Sequence, residues 1–294
     1  MTARTMSRTQ ALFAVHLVGL LFGTCGILGE LIDADASVIT WGRAACAIVV
    51  LSVVSRFASN SGLRGLLQHG RWWALIVSGA MLAIHWATFF ISVKVGGIAV
   101  ATLGFASFPA FITLIEWGVL RERVTRPEWL RLICVTLGLI LVTPSFDFSD
   151  AGTEGLLWGL LSGAGFGVLA VLNRRYLSNI DAFYVAGLQN LIVFLLLSPW
   201  AMPLLPAVSL ASWGWILVLG VACTGLAHLL FVASLRVLHA RTAGLVVALE
   251  PVYAILFAWV LFAQVPTIRT IAGGLIMIAA ILSASLAVRK AASH

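Results

Sequence analysis

The sequence predicts an all-α polytopic membrane protein, with ten transmembrane helices arranged as two inverted-topology five-helix repeats. Three observations predict it. Of the 294 residues, 61% are hydrophobic and only 10% charged, against about 25% charged in soluble domains, and long apolar runs recur from end to end. The basic residues gather on alternate sides of those runs. One pattern also occurs twice: Ala101-Thr102-Leu103, Pro109, Phe111, Leu114 and Trp117 return at an offset of 142 as Ala243-Gly244-Leu245, Pro251, Tyr253, Leu256 and Trp259.

A helix crossing the hydrocarbon core needs about 20 apolar residues. The first span, about 11–29, follows Arg4 and Arg8 and precedes Ala34-Asp35-Ala36, which resembles a secretory signal with its cleavage site. It is longer than the usual apolar region of such a signal. Its Gly19-xxx-Gly23 also recurs as Gly159-xxx-Gly163, so it is predicted to be retained. The second, about 37–57, carries Arg43 some six residues from its outer end, where the side chain is expected to snorkel to the interface. The third, about 72–95, opens on Trp72 and Trp73, interface residues, and carries His85 and Trp86 past its middle. The fourth, about 97–120, holds Phe105, Phe108 and Pro109, and near its cytoplasmic end Glu116, expected to meet Arg121 and Arg123.

The fifth, about 128–143, opens with Thr125-Arg126-Pro127-Glu128, a capping-box pattern with proline in the first turn. The sixth, about 153–173, has Trp158 near its start and a nearly bare face at Gly163, Gly165 and Gly167, expected to pack against a neighbour. The seventh, about 182–201, carries Gln189 and Asn190, interhelical glue or pore lining. The eighth, about 213–235, carries His228, and the ninth, about 240–262, Glu250, Pro251 and Tyr253. The tenth runs from about 269 to 288.

With the N-terminus cytoplasmic, fifteen of the 18 Lys and Arg residues lie on the cytoplasmic side: Arg4, Arg8, Arg56, Arg64, Arg71, Arg121, Arg123, Arg126, Arg131, Arg174, Arg175, Arg236, Arg241, Arg289 and Lys290. Lys94 and Arg269 lie outside, with Glu30, Asp33, Asp35, Asp147, Asp150 and Glu154. This positive-inside split predicts an even number of spans with both termini cytoplasmic. Five spans per half, an odd number, make the second half (148–294) start on the opposite side from the first (1–147). Phe89, Ser92, Lys94 and Val95 match Phe231, Ser234, Arg236 and Val237 at the same offset, with Lys94 outside and Arg236 inside, as inversion requires. Inverted repeats with paired interruptions mark alternating-access transporters and their binding sites.

A mid-helix proline loosens the carbonyl four residues back, here those of Phe105 and Val247. A loosened group in hydrocarbon must find a partner or line a wet cavity. Two such defects at similar depth predict a shared central cavity with Pro109 and Pro251 as hinges. The deep polar and aromatic residues are its candidate lining: His85, Trp86, Phe105, Phe108, Trp158, His228, Glu250 and Tyr253.

Composition also excludes. The net charge of +7 sits in short caps between apolar spans, which is no nucleic-acid surface. Cys25, Cys46, Cys134 and Cys223 have neither CxxC nor Cys/His spacing, so no metal site or disulfide framework is predicted, and no cofactor. No H-E-x-x-H, paired acidic cation motif or nucleophile turn is present, so no catalytic residue is assigned. A passive facilitator or channel for the same solutes, and an intramembrane enzyme, are the alternative readings.

The chain resembles the drug/metabolite transporter superfamily, specifically its ten-helix EamA-type exporters. The resemblance rests on Phe108-Pro109-Ala110-Phe111, Trp117, Glu122-Arg123 and Gly138 in one half. In the other it rests on Glu250-Pro251-Val252-Tyr253, Trp259 and Gly273-Gly274-Leu275-Ile276. Glu122 matches the acid usual after helix four, whereas its counterpart Gln264 departs from the pattern. The branch most similar is that of YddG-like amino-acid exporters. The resemblance implies a carrier in the bacterial inner membrane that exports amino acids or related metabolites; whether it is a monomer or homodimer is not read from the sequence. It implies a cavity lined by helices three, four, eight and nine.

Overall fold

The computed structural model describes residues 6–58, 70–142, 150–247, 249–263 and 265–291. Arg4, Arg64, Asp147 and Gln264, singled out above, lie outside the described residues. Among the described residues there is no strand. The helices are α1 (Arg8–Leu31), α2 (Ala36–Ala58), α3 (Trp72–Phe105), α4 (Phe108–Gly118), α5 (Arg126–Val142), α6 (Ala151–Leu172), α7 (Ala182–Ala201), α8 (Leu210–Gly220), α9 (Ala227–Ser234), α10 (Ala240–Val247), α11 (Glu250–Phe262) and α12 (Ile268–Ala291). A π turn (Val221–Leu226) joins α8 to α9. Each apolar run of the sequence is covered by one or two of these helices. Six stretches among the described residues are long and apolar enough to cross a membrane: Arg8–Leu31, Ala36–Ser55, Trp72–Phe105, Ala151–Leu177, Ala182–Ala207 and Leu210–Ser234.

Local chemistry sets several boundaries. Ser7 caps α1 through a reciprocal box with Gln10. At α5 the Glu128 carboxylate accepts from the Thr125 backbone N–H at 2.7 Å, the contact its capping-box pattern calls for. The long α3 is not one rod. Gly97 has φ 81° and ψ 170°, a conformation open to glycine, and there the chain folds back on itself. His85 and Phe105 lie on either side of it and stack at 4.8 Å; along one straight helix they would stand about 30 Å apart. Residues 72–96 and 98–105 are therefore two antiparallel arms.

The second arm stops at Phe105, Ala106 and Ser107 form a turn, and α4 begins at Phe108 with Pro109 as its second residue. The same break recurs between α10 and α11, with Pro251 second in α11. Mid-helix kinks were expected. Instead each proline opens a new helix, where its missing N–H needs no partner and its fixed φ suits the first turn.

Glycines on α6 hold this broken region tightly. A Cβ on Gly155 would lie 2.5 Å from the Gly96 Cα, and one on Gly159 3.1 Å from the Gly104 Cα. A Cβ on Gly163 would lie 2.6 Å from Ser107 Oγ and 2.9 Å from the Phe105 carbonyl oxygen. Gly155, Gly159 and Gly163 are spaced at one residue in four, as small-xxx-small contacts require, and the bare face expected at Gly163, Gly165 and Gly167 is also packed, a Cβ on Gly165 meeting the Met81 carbonyl oxygen at 3.2 Å and one on Gly167 the Phe111 Cβ at 3.0 Å.

Candidate functional site

Both breaks meet one small, partly open cavity of about 20 Å³. It is lined by Phe22 and Cys25 of α1, Arg43 of α2, His85, Trp86 and Phe89 of the first arm of α3, Phe105 at the first break and Glu250 at the second. The rings form a connected wall. His85 stacks on Phe105, Phe105 stacks on Phe108 at 4.8 Å, and Phe166 meets both phenylalanines edge-on.

Four of the sequence-assigned residues, His85, Trp86, Phe105 and Glu250, line this cavity. Phe108 is fully buried behind Phe105 and supports the wall. His228 is buried with its ring edge-on to Trp86 at 5.8 Å. Its Nε2 bonds to Gln189 Oε1 at 3.0 Å, and Gln189 Nε2 donates to Ser78 Oγ and Asn173 Oδ1, both at 2.7 Å. Gln189 is therefore interhelical glue, with Asn190 donating within its own helix to the Ala186 carbonyl. Tyr253 is partly buried and lies against α1 at Gly23. Trp158 does not reach the cavity. Its N–H donates to Glu154 Oε1 at 3.2 Å, because the inward face of α6 is taken by Gly155, Gly159 and Gly163.

Arg43 is the residue sequence reasoning misplaced. It does not snorkel: it is 1% exposed, held from three directions. Nε donates to Thr224 Oγ1 at 2.7 Å, Nη2 donates to the Cys223 carbonyl at 3.2 Å, and Nη2 lies 3.8 Å from Cys25 Sγ. The π turn supplies the first two acceptors and α1 the third; Thr224 Oγ1 in turn donates to the Leu219 carbonyl at 2.8 Å, and such turns interrupt regular helix pairing. The guanidinium carbon lies 4.1 Å from the Trp86 ring centre, a cation–π contact. The sequence did carry a clue. Gly42, Ala44, Ala45 and Ala47 surround Arg43 in sequence, and so many small residues let neighbouring helices approach closely and leave a long side chain little route to the interface. A Cβ on Gly220 would indeed stand 3.3 Å from the Arg43 Cα.

Among the described residues no carboxylate lies within 4 Å of Arg43, every ion pair lying elsewhere. Glu250 is 2% exposed and its Oε2 has no hydrogen-bond partner. The cavity thus brings together a buried cation, a buried carboxyl group with an unpartnered oxygen, and four aromatic side chains besides His85.

A second, larger space of about 680 Å³ opens at the end where the basic residues gather. Its centre is Arg241 at the start of α10, which bridges Glu116 of α4, Glu122 at 3.2 Å, and Glu128 of α5. Glu116 was expected to meet Arg121 and Arg123. The chain instead turns away at Arg121, which has φ 56°; both arginines stay exposed, and the partner comes from the other half of the chain. Arg175 pairs with Glu122 at 3.4 Å. His239 also lines this space, and burial together with the nearby Arg174 and Arg241 guanidinium groups holds its imidazole below the ordinary histidine range. At the opposite end Lys94 Nζ donates to the Ile32 carbonyl at 2.7 Å.

The chain is similar to the pseudopaline exporter CntI of Pseudomonas aeruginosa, 27% identical over 219 residues that cover 72% of this chain and 74% of the exporter. It is similar to the uncharacterized transporter YwfM of Bacillus subtilis, 22% identical and covering 94% of each chain. It is also similar to human solute carrier family 35 member G1, 26% identical over 71% of this chain and 60% of that one. A protein solved by crystallography superimposes with a TM-score of 0.74 at 19% identity, over 97% of this chain and 99% of its own, a likeness of fold. The EamA-like transporter family matches twice, at residues 9–143 and again at 153–286. With most of its length matched in this way, the chain is a multi-pass membrane protein that belongs to the EamA-like transporter family.

Proposed function

We propose that the protein is a secondary transporter of the bacterial inner membrane that exports amino acids or related small amphipathic metabolites by alternating access. In this reading the ten spans read from the sequence form two inverted five-helix repeats, 1–147 and 148–294, with both termini cytoplasmic. One observation carries it: the two helix breaks, at Phe105–Phe108 and Val247–Glu250, meet at one buried cavity that is aromatic on its walls and polar at its edge. Broken helices at the interface of two halves place the substrate and let each half-helix tilt. The twofold family match supports the repeat, and the exporter among the relatives supports the direction.

Counterflow in proteoliposomes with amino acids, aromatic compounds and sugars tests the reading. Amino acids exchange and sugars do not; exchange of none of them, or single-channel currents, sinks it. Cysteine labelling places positions 94 and 236 on opposite faces; labelling from the same face ends the inverted repeat. Pro109→Ala and Pro251→Ala slow transport more than they lower folded yield, and normal rates in both remove the hinge role.

A further inference from the structure

We infer that Arg43 is the anchor for a carboxylate on the transported molecule and that Glu250 receives its amine, so that the cavity takes an amphipathic zwitterion. This rests on the transport reading above and narrows its substrate class.

A guanidinium has five N–H donors in a rigid fork, suited to a carboxylate. The hydrogen bonds Arg43 makes among the described residues use Nε and Nη2, and none uses Nη1. Those bonds fix the fork with neutral groups, a hydroxyl, a carbonyl and a thiol. None of them cancels its charge. Trp86 covers the guanidinium plane, so an incoming group approaches in that plane, where the donors lie. A buried cation without an anion is costly, and an arriving carboxylate removes that cost. Glu250 lines the same cavity with its Oε2 unpartnered, an acceptor for an ammonium group. Phe22, Trp86, Phe89 and Phe105 supply the apolar contact between the two ends. Each feature alone has a structural reading. Together they place a cation, an acceptor and an aromatic surface, the polarity of an α-amino acid, around one space of about 20 Å³ that widens as the broken helices part to admit the molecule.

The test uses the purified full chain in proteoliposomes with three probes: L-phenylalanine, L-phenylalaninamide, which lacks the carboxylate, and N-acetyl-L-phenylalanine, which lacks the amine. The wild type exchanges the acid at least about tenfold faster than the amide, the scale of a lost charge-assisted pair. Arg43→Gln brings the acid-over-amide preference to near unity, and Arg43→Lys restores part of it. Glu250→Gln slows L-phenylalanine and spares N-acetyl-L-phenylalanine. A folding defect lowers all rates together and leaves the preference intact, so the ratio separates the two cases. Equal wild-type exchange of acid and amide overturns the anchor while the transport reading stands. If the wild type exchanges none of the probes, the transport reading falls for this class. The anchor then survives only if L-phenylalanine raises the melting temperature of the purified protein and the amide does not; otherwise it falls too.

Discussion

Arg43 and Arg241 are both arginines in an apolar chain, and the protein treats them in opposite ways. Arg241 sits at the mouth of the wide basic space, partly exposed, with three carboxylates around it. Arg43 sits buried at the central cavity with hydroxyl, carbonyl and thiol partners and no ion pair within 4 Å among the described residues. The first cation is neutralised inside the protein and ties α10 to α4 and α5. The second is held in place but left charged. The difference separates two uses of one side chain: a strut where the charge is matched, and a site where it is left for something else to match.

The largest expected effect breaks the strut. Arg241→Gln leaves Glu116, only 7% exposed, beside two further acids without their cation. Stability falls by about 2 kcal/mol, less than for a fully buried pair because Arg241 is partly exposed; thermal unfolding in detergent reads it, and adding Glu116→Gln recovers part of the loss. Next, Arg43→Met removes a buried charge that no ion pair among the described residues cancels and keeps much of the volume. Thermal stability rises by about 1 kcal/mol while counterflow is lost; a fall in stability would mean that the neutral partners already satisfy the cation. The smallest effect comes from Arg175→Gln. Its pair with Glu122 is nearly half exposed on both sides, so stability changes by less than about 0.5 kcal/mol and exchange stays at the wild-type rate.

The helices and their breaks were legible because they depend on what adjoins along the chain. Apolar runs mark spans, Pro109 and Pro251 mark interruptions, and glycines on α6 mark a close packing face. His85, Trp86, Phe105 and Glu250, chosen for depth and polarity with the family resemblance pointing to the same helices, line the central cavity. The failures share a different cause, since each depends on a neighbour far away in sequence. Whether Arg43 reaches the interface is decided by how tightly α2 packs on Ile216 and Gly220, not by its distance from the end of its own helix. Glu116 finds Arg241 across the molecule rather than the arginines beside it. Trp158 lies at a suitable level but is turned outward by the glycines that flank it. Even the prolines were placed correctly and read slightly wrongly, because a residue that bends one long helix and a residue that begins a short one look alike in a string of letters.

Gln189 has a consequence for any coupling to protons. Its amide nitrogen is engaged by Ser78 and Asn173, so its oxygen can only accept, and His228 must hold its hydrogen on Nε2 to meet it. The tautomer of that imidazole is thereby dictated from two helices away. Releasing the proton from His228 Nε2 would break its hydrogen bond to Gln189, whereas Glu250 has an oxygen already free to take one.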